Sequence, residues 1–325
     1  MFAQKISGHL QKLAESHPEI KRQFVDSSDE EVAGDEDKSF GAAQDKPPSC
    51  ASGFIDPLIE EKFTPVKGLI HKYANRALVL LTMSCAAYCR FCTRQRTVSE
   101  IEKGRLTDND LEKIVDYLQK HPEIKEIILS GGDPLTVPEL LEKALAKFSS
   151  LPQIKVIRIG TRVPVSEPKL VTEGLLAAIR EVKQPLYVMI HFEHPTEVTS
   201  ETIEAVEKLR RAGAILFSQS VFLKGVNDQV AVLEQLFTKL VEIGVKPYYL
   251  FRCDPVAGTQ RFWVEPEREV EIATQLRRRL TGLANPTYVI DTPDGSGKIP
   301  VPLNFWEFKL DSFKDFEGKK QKIIR

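Results

Sequence analysis

The sequence predicts an α/β protein whose main body is a partial barrel of six βα units, a partial (β/α)6 barrel. Short apolar, β-branched segments recur after residue 76, at 77–83, 126–130, 155–160, 186–192, 214–220 and 247–251. Longer segments with a 3.6-residue apolar period lie between them, at 108–120, 137–149, 168–182, 199–212, 229–244 and 266–282. A strand followed by a helix, repeated in this way, predicts a parallel sheet covered by helices. Six units are too few to close a TIM barrel, which has eight.

The segment before the barrel has a different composition. Phe2, Ile6 and Leu10 have helical spacing, which predicts an amphipathic helix over residues 2–14 that packs on the main body. The stretch DSSDEEVAGDED that follows has seven acidic residues and no basic one. Such a block is typical of a solvated chain, so we interpret residues 26–50 as a mobile linker.

The barrel elements have recognisable boundaries. Thr107 with Asp108, and Thr199 with Ser200, precede two of the predicted helices and are suitable N-caps. A further apolar run at 287–291 follows the sixth helix. The carboxyl ends of the strands in such a barrel converge on one face, where ligands bind. Polar residues directly after strands are therefore the candidates for a site. We divide the chain into an N-terminal helix and acidic linker (1–50), the barrel (51–284) and a C-terminal segment (285–325).

Composition excludes several classes of protein. The chain has 325 residues, with 45 basic and 46 acidic side chains and a formal net charge of −1, so no basic field predicts nucleic-acid binding. No apolar run approaches the ~20 residues that cross a membrane. Lys5, Lys12 and Glu15 interrupt the N-terminus, which excludes a secretory signal. Five cysteines, three of them clustered, argue against disulfides and predict a reducing, cytoplasmic location.

The clustered cysteines are Cys85, Cys89 and Cys92, in the loop after the first strand. A structural zinc site would need a fourth ligand, and Cys50 and Cys253 are isolated. A redox pair of the C-x2-C type would leave Cys85 unexplained. A four-iron cluster normally takes four thiolates, so three leave one iron open to bind another molecule.

The C-x3-C-x2-C spacing, with Phe91 before the last cysteine, resembles the signature of the radical S-adenosylmethionine (SAM) enzymes, whose fold is a partial (β/α)6 barrel. The resemblance implies a [4Fe–4S] cluster on the three cysteines, and SAM bound at its open iron as the source of a 5′-deoxyadenosyl radical. Two segments match SAM-contacting positions of that superfamily. They contain Ser130, Gly131, Gly132 and Asp133 after the second strand, and Thr161 and Arg162 after the third.

Near the C-terminus, IDTPDGSGKIPV places Lys298 after a Gly-Ser-Gly turn. A P-loop is excluded, because position 292 is Thr and position 299 is Ile. The segment resembles the lysine 2,3-aminomutase family, in which the lysine of this turn holds pyridoxal 5′-phosphate (PLP). Further stretches match the same family: HKYANRALVLLTMSCAAYCRFCTRQR, LSGGDPL, IRIGTRVPV, FSQSVFLKGVND and YYLFRCDPVAGTQRF.

This second resemblance implies roles for single residues. Arg94 matches the arginine that pairs with the substrate carboxylate, and Asp254 and Asp291 match the aspartates that bind the ε-ammonium of lysine. Both aspartates favour a basic substrate, since a glutamate-selective relative would place cationic or amide groups there. The positions that match the PLP pocket are Lys72, Tyr73 and Arg76 at the phosphate, with Gln219 and His191 near the ring.

The resemblance therefore implies an isomerase that interconverts L-lysine and β-lysine by moving the amino group from carbon 2 to carbon 3. It also implies an electron donor such as flavodoxin or ferredoxin, and neither nucleic-acid nor membrane partners. Short relatives make β-lysine to modify elongation factor P, and we expect the same chemistry here. Free lysine 2,3-aminomutases continue with a segment that binds zinc and supports oligomer contacts, so we expect no zinc and at most a homodimer. Two alternatives stay open, an aminomutase for another basic amino acid such as arginine, and a non-catalytic iron–sulfur module.

Overall fold

A single nine-stranded sheet forms the centre of the protein, and its strands follow one another in chain order. The structure is a computed structural model and describes residues 6–25, 53–54, 56–98, 104–292, 297–305, 312–314 and 319–323. The strands are β1 (Leu69–Tyr73), β2 (Arg76–Thr82), β3 (Glu126–Gly131), β4 (Val156–Thr161), β5 (Leu186–His191), β6 (Ile215–Val221), β7 (Lys246–Phe251), β8 (Thr287–Asp291) and β9 (Lys298–Pro300). A separate antiparallel hairpin contains β10 (Ser312–Lys314) and β11 (Lys320–Lys322).

Within the described residues, the helices of at least seven residues are α1 (Gly8–Ser16), α2 (Pro18–Phe24), α3 (Asp108–Lys120), α4 (Pro138–Ser149), α5 (Glu173–Glu181), α6 (Ser200–Arg211), α7 (Val230–Glu242) and α8 (Pro266–Arg279). Single helical turns cover Gln95–Val98 and Val163–Ser166. Short 3-10 turns cover Glu60–Phe63, Pro134–Thr136, Pro168–Leu170, Pro195–Glu197 and Gln260–Phe262.

Strands β2 to β8 are all parallel, and one helix of α3 to α8 connects each strand to the next. The antiparallel strands β1 and β9 lie at the two edges and do not pair with each other in the described part of the chain. The sheet is therefore open, and the predicted partial (β/α)6 barrel is confirmed.

Buried and half-buried side chains alternate along the strands, and this alternation distinguishes the face covered by helices from the face inside the barrel. In β3, Ile127 and Leu129 are fully buried against the helices, whereas Glu126, Ile128 and Ser130 alternate with them and are half-buried. The second set points into the barrel, because side chains of a strand alternate between its two faces. The inward face of β5 and β6 likewise carries His191 and Gln219. The interior of the barrel therefore carries polar groups among apolar and aromatic side chains.

The predicted strands agree with the observed ones to within one or two residues, and the seventh apolar run is β8. Thr107 and Thr199 are N-caps, as predicted. The helix predicted over 168–182 was too long, because Pro168 starts a separate 3-10 turn and α5 begins at Glu173.

The N-terminal helix prediction was wrong at residues 6 and 7, and residues 2–5 lie outside the described residues. Residues 6 and 7 are not helical, because Ser7 is the N-cap of α1 and its hydroxyl accepts the Leu10 N–H. A second helix, α2, follows directly and was not predicted. Leu10, Ile20 and Phe24 from the two helices form a small buried cluster with Ala87 of the loop after β2. The hairpin α1–α2 therefore packs on the predicted cysteine site.

None of the helices within the described ranges is long and apolar enough to cross a membrane. The predicted acidic linker, residues 26–50, lies outside the described residues together with Cys50. The division of the chain at residues 50 and 284 stays a prediction.

Candidate active site

The loop that leaves the carboxyl end of β2, residues 83–94, carries the three cysteines of the motif, and we call it the cysteine loop. Backbone amides donate to two of the sulfurs. The Ala87 N–H lies 3.5 Å from Cys85 Sγ, and the Arg94 N–H lies 3.4 Å from Cys92 Sγ. Donors directed at sulfur favour the thiolate, which is the form that binds metal.

Burial raises the pKa of all three thiols. It raises the pKa of Cys89 to about 11, although the neighbouring Arg162 guanidinium acts in the opposite direction. Burial likewise raises the pKa of Cys85 and Cys92 above 9.0. Coordination to a metal deprotonates such thiols outright. In the described ranges, no three His, Cys, Asp or Glu side chains lie where they could share one metal ion. Three cysteine sulfurs within one loop, two of which accept backbone N–H groups, are donors that suit an iron–sulfur cluster.

The glycine pair after β3 packs the end of that strand against the cysteine loop. Gly131 has a φ of +138°, and a Cβ there would lie 2.1 Å from the carbonyl oxygen of Thr82. A Cβ on Gly132 would lie 2.2 Å from the carbonyl oxygen of Ser84. Only glycine permits this approach of two backbones. The contacts of Ser130, Gly131 and Gly132 with SAM stay predictions.

Asp133, Thr161 and Arg162 join the ends of β3 and β4. The Asp133 carboxylate accepts the Thr161 hydroxyl at 2.8 Å and the Arg162 N–H at 2.6 Å. Burial raises the pKa of Asp133 to about 6 in spite of these hydrogen bonds. Contacts with SAM stay predictions for these residues too, since their side chains are buried and bonded to protein.

The guanidinium of Arg162 lies against the cysteine loop. Its Nη1 donates to Cys89 Sγ at 2.7 Å, while Nη2 donates to Gln23 Oε1 at 2.5 Å and to Glu197 Oε1 at 2.9 Å. Gln23 belongs to α2 and Glu197 to the turn after β5. No sequence motif singled out Gln23 or Glu197. Their proximity to the cysteine loop results from long-range packing.

Lys298 and the two predicted substrate aspartates lie together. Lys298 begins β9 and pairs in register with Asp291 at the end of β8. Its Nζ donates to the two carboxylate oxygens of Asp291 at 2.8 and 2.9 Å. Burial and the nearby negative charge of Asp291 raise the pKa of Asp254 to about 8, and the positive charge of Lys298 partly offsets this. One ammonium and two carboxyl groups thus share one cage.

Arg94, the predicted partner of a substrate carboxylate, forms a bidentate ion pair with Glu60. Its Nε and Nη2 donate to the two oxygens of Glu60 at 2.8 and 2.6 Å. Burial alone would raise the pKa of Glu60, but the positive charges of Arg94, Lys72 and Lys298 hold it below its usual value. The carboxylate is therefore surrounded by three cations.

Sequence analysis did not single out Glu60. It begins the 3-10 turn that precedes β1, and no motif distinguishes it from Glu61. Only the fold brings it to Arg94.

Lys72, Tyr73 and Arg76 surround the turn between β1 and β2, where Tyr73 and Arg76 pair in register. The Arg76 guanidinium lies 3.9 Å from the centroid of the Tyr73 ring, and the Lys72 ammonium lies 5.7 Å from it. Two cations and a hydroxyl therefore lie close together, a set of donors that suits a phosphate dianion.

His191 and Gln219 are neighbours in register on β5 and β6 and share the inward face. The Nδ1 of His191 lies 3.5 Å from Glu193 Oε1. The structure thus brings these two residues together, and their contacts with PLP stay predictions.

Comparison with known proteins agrees with this arrangement. Residues 79–236 match the model of the radical SAM superfamily. A provisionally named L-lysine 2,3-aminomutase of Aquifex aeolicus (strain VF5) is 41% identical over 273 residues, which are 83% of this chain and 73% of that protein. The L-lysine 2,3-aminomutase of Clostridium subterminale is 40% identical over 257 residues, 79% of this chain and 61% of that protein.

Glutamate 2,3-aminomutase of Clostridioides difficile (strain 630) is 34% identical over 275 residues, 80% of this chain and 65% of that protein. The chain thus spans about 61% to 73% of the length of the first curated relatives that it matches. The identity and coverage of the Aquifex protein, together with the superfamily match, assign the chain to the lysine 2,3-aminomutase family of radical SAM proteins.

Proposed function

We propose that the protein is a radical SAM, PLP-dependent aminomutase that interconverts L-lysine and β-lysine. One observation carries this proposal. The site contains groups of complementary charge for both charged ends of a lysine molecule. The ammonium of Lys298 lies on Asp291 beside Asp254, and the carboxylate of Glu60 lies on Arg94. We infer that the two aspartates bind the substrate's ε-ammonium and that Arg94 binds its α-carboxylate.

The ammonium end favours a basic substrate. Asp254 and Asp291 already raise each other's energy as a pair of like charges, and an added cation relieves that repulsion. The side-chain carboxylate of glutamate would add a third negative charge to the same cage. The pair therefore supports lysine over glutamate as the substrate.

At the carboxylate end, Arg94 has N–H donors that its ion pair with Glu60 does not use. Glu60 takes the edge of the guanidinium formed by Nε and Nη2 of Arg94. A guanidinium carries five N–H donors, so its other edge, with Nη1, can bind a second carboxylate. Glu60 can thus hold Arg94 in place while the substrate binds.

The radical SAM superfamily implies a [4Fe–4S] cluster and SAM. We assign Cys85, Cys89 and Cys92 to the cluster, and Ser130, Gly131, Gly132, Asp133, Thr161 and Arg162 to the surroundings of SAM. We assign Lys298, Lys72, Tyr73, Arg76, Gln219 and His191 to PLP. When bound, the cluster and SAM supply a radical that removes a substrate hydrogen, and PLP supplies a π-system that accommodates the migrating nitrogen.

The protein's own residues bind, orient and transfer protons. Lys298 must lose a proton before its amine can attack a carbonyl carbon. Both carboxylate oxygens of Asp291 accept hydrogen bonds from Nζ, so we infer that Asp291 accepts this proton. Asp254 and Asp291 then hold the far end of the substrate, while Arg94 orients the end at which hydrogen is removed.

The test is conversion of L-lysine to β-lysine by the anaerobically reconstituted protein with SAM, PLP and a low-potential reductant. L-Arginine and L-glutamate serve as comparison substrates. Lys298→Ala should lose both the visible absorbance of bound PLP and the conversion, whereas Lys155→Ala, a surface lysine, should keep both. Formation of 5′-deoxyadenosine without β-lysine would refute lysine as the substrate and leave the family assignment intact.

The proposal extends to the surroundings of the enzyme. It includes flavodoxin or ferredoxin as electron donor and a reducing compartment such as the cytoplasm. Use of the product on elongation factor P stays a prediction.

A further inference from the structure

Arg162 is a buried cation whose contact with Cys89 is not explained by its assignment to the surroundings of SAM. Its side chain is 5% exposed, and its Nη1 lies 2.7 Å from Cys89 Sγ. Its Nε is buried and has no hydrogen-bond partner among the described residues. A guanidinium is only a donor, so a buried one beside sulfur suits a thiolate with further acceptors next to it. A cluster on Cys89 would supply both.

Four side chains fix the position of this guanidinium. Gln23 Oε1 and Glu197 Oε1 accept from Nη2, and the Gln23 Nε2 donates to the same Glu197 oxygen at 2.9 Å. The rings of Phe24 and Phe91 lie 4.7 and 5.5 Å from the guanidinium carbon. Gln23 and Phe24 come from α2, so the N-terminal hairpin supplies half of the enclosure.

The hairpin is bound to the cysteine loop through its backbone as well. The Ser7 N–H donates to the Ala86 carbonyl at 3.2 Å, and the Arg90 N–H donates to the Gln23 carbonyl at 2.9 Å. The apolar cluster beneath α1 and α2 includes Ala87 and packs against Cys85 and Cys89. The hairpin therefore covers the face of the loop on which Cys85 and Cys89 lie.

We propose that Arg162, held by Gln23 of the N-terminal hairpin, is a positioning residue that raises the reduction potential of the cluster through its contact with Cys89. This inference rests on the proposed ligation of a cluster by Cys89. It also gives α1–α2 a role in the chemistry, as the element that holds Arg162 against the sulfur.

The direction of the effect follows from charge. Reduction adds one electron, so the reduced cluster is more negative than the oxidised one and gains more from an adjacent cation. Hydrogen bonds to sulfur and exclusion of solvent are among the features that set the potential of iron–sulfur clusters. Glu197 offsets part of the positive charge, but it binds Nη2 and leaves Nη1 to the sulfur.

The experiment compares Arg162→Gln, Arg162→Lys and Gln23→Leu with the wild type, all reconstituted anaerobically with iron and sulfide. Iron and sulfide contents are measured first. The potential of the cluster is then measured without SAM, by a redox titration followed by electron paramagnetic resonance. We expect Arg162→Gln to have a more negative potential than the wild type. Arg162→Lys and Gln23→Leu should shift in the same direction by less, because a cation remains.

Arg22→Gln is the matched control, because it removes an arginine from α2, the helix that carries Gln23. Arg22 donates to the carbonyl oxygens of Lys224 and Arg261 and to none of the cysteine sulfurs in the described residues. The cluster in Arg22→Gln should therefore have the same reduction potential as in the wild type. An equal shift in Arg22→Gln and Arg162→Gln would overturn the contact mechanism. If Arg162→Gln binds no iron, the reduction potential of Gln23→Leu is the test: a shift to a more negative value supports the role of Arg162, and an unchanged value overturns it.

The outcomes separate the inference from the function on which it rests. A four-iron signal in the wild type, with unchanged potentials in the Arg162 and Gln23 variants, overturns the role of Arg162 and leaves the proposed enzyme intact. A wild type without any four-iron signal overturns both.

Discussion

Asp254→Asn should stabilise the folded protein at pH 8 and weaken its binding of lysine. In the wild type, burial and the adjacent charge of Asp291 raise the pKa of Asp254 to about 8 from an ordinary value of 3.8. The ionised carboxylate is therefore less stable in the folded chain than in the unfolded one. Asparagine has nearly the same shape and cannot ionise, so it removes this penalty.

The size of the penalty follows from the pKa difference. A difference of about 4 corresponds to roughly 5 kcal/mol, at about 1.4 kcal/mol for each pKa unit. The Asp254 side chain is only half-buried, and water screens part of the repulsion at such a site. We therefore expect Asp254→Asn to gain about 2 kcal/mol relative to the wild type at pH 8.

The direction in which stability changes with pH depends on whether the folded or the unfolded state binds more protons. Between pH 4 and pH 8, about the two pKa values of Asp254, the folded state binds more protons than the unfolded state. The free energy of unfolding of the wild type therefore falls as the pH rises through this window. The variant should lack this contribution, so the two stability curves should meet near pH 4 and diverge towards pH 8.

The assay is urea unfolding between pH 5 and pH 8, followed by tryptophan fluorescence. Asp108→Asn is the control, since Asp108 is an exposed aspartate paired with Lys143. This variant should not gain stability relative to the wild type as the pH rises. L-Lysine binding by Asp254→Asn, measured in parallel, should weaken. Parallel stability curves for Asp254→Asn and the wild type would refute the reasoning, because they would mean that Asp254 titrates alike in both states.

Three further predictions concern other parts of the fold. Gly132→Ala should cost more than ~2 kcal/mol of stability and lower iron incorporation, because its Cβ would meet a backbone carbonyl at 2.2 Å. Gly160→Ala is the control and should match the wild type, since the nearest atom to its Cβ lies at 3.7 Å. An equal loss of stability in the two variants would contradict this account. Glu60→Gln should raise the KM for L-lysine about tenfold with a smaller change in kcat, since Arg94 loses its anchor; a lower KM would mean instead that Glu60 competes with the substrate. Asp110→Asn should cost about 1 kcal/mol at pH 7 through the α3 capping box. Hydrogen bonds from the Thr107 backbone and from Lys67 lower the pKa of Asp110 to about 2, so the difference from the wild type should shrink as the pH falls from about 4 to about 2, and a constant difference would argue against a charged cap.

Local sequence patterns were sufficient for the barrel. The strands and helices from β2 to β8 are long enough for their apolar period to be read directly, and their order alone requires parallel pairing. The helix α2 was missed because PEIKRQF is only seven residues long and has two apolar positions that face the core, Ile20 and Phe24. A segment of that length has too little periodicity to predict a helix, and it is stabilised mainly by packing.

The same distinction applies to the candidate site. The cysteine motif could be identified because its three thiols lie within eight residues. The strand-end rule singled out Asp254 and Asp291 as residues that converge, whereas the contact of Lys298 with Asp291 is seen only in the structure. The partners of two arginines could not be identified in this way. Glu60 lies 34 residues from Arg94, and Gln23 lies 139 residues from Arg162. Which acid or amide reaches a given guanidinium depends on how separate segments pack in three dimensions, and the spacing of residues along the chain carries no record of that packing.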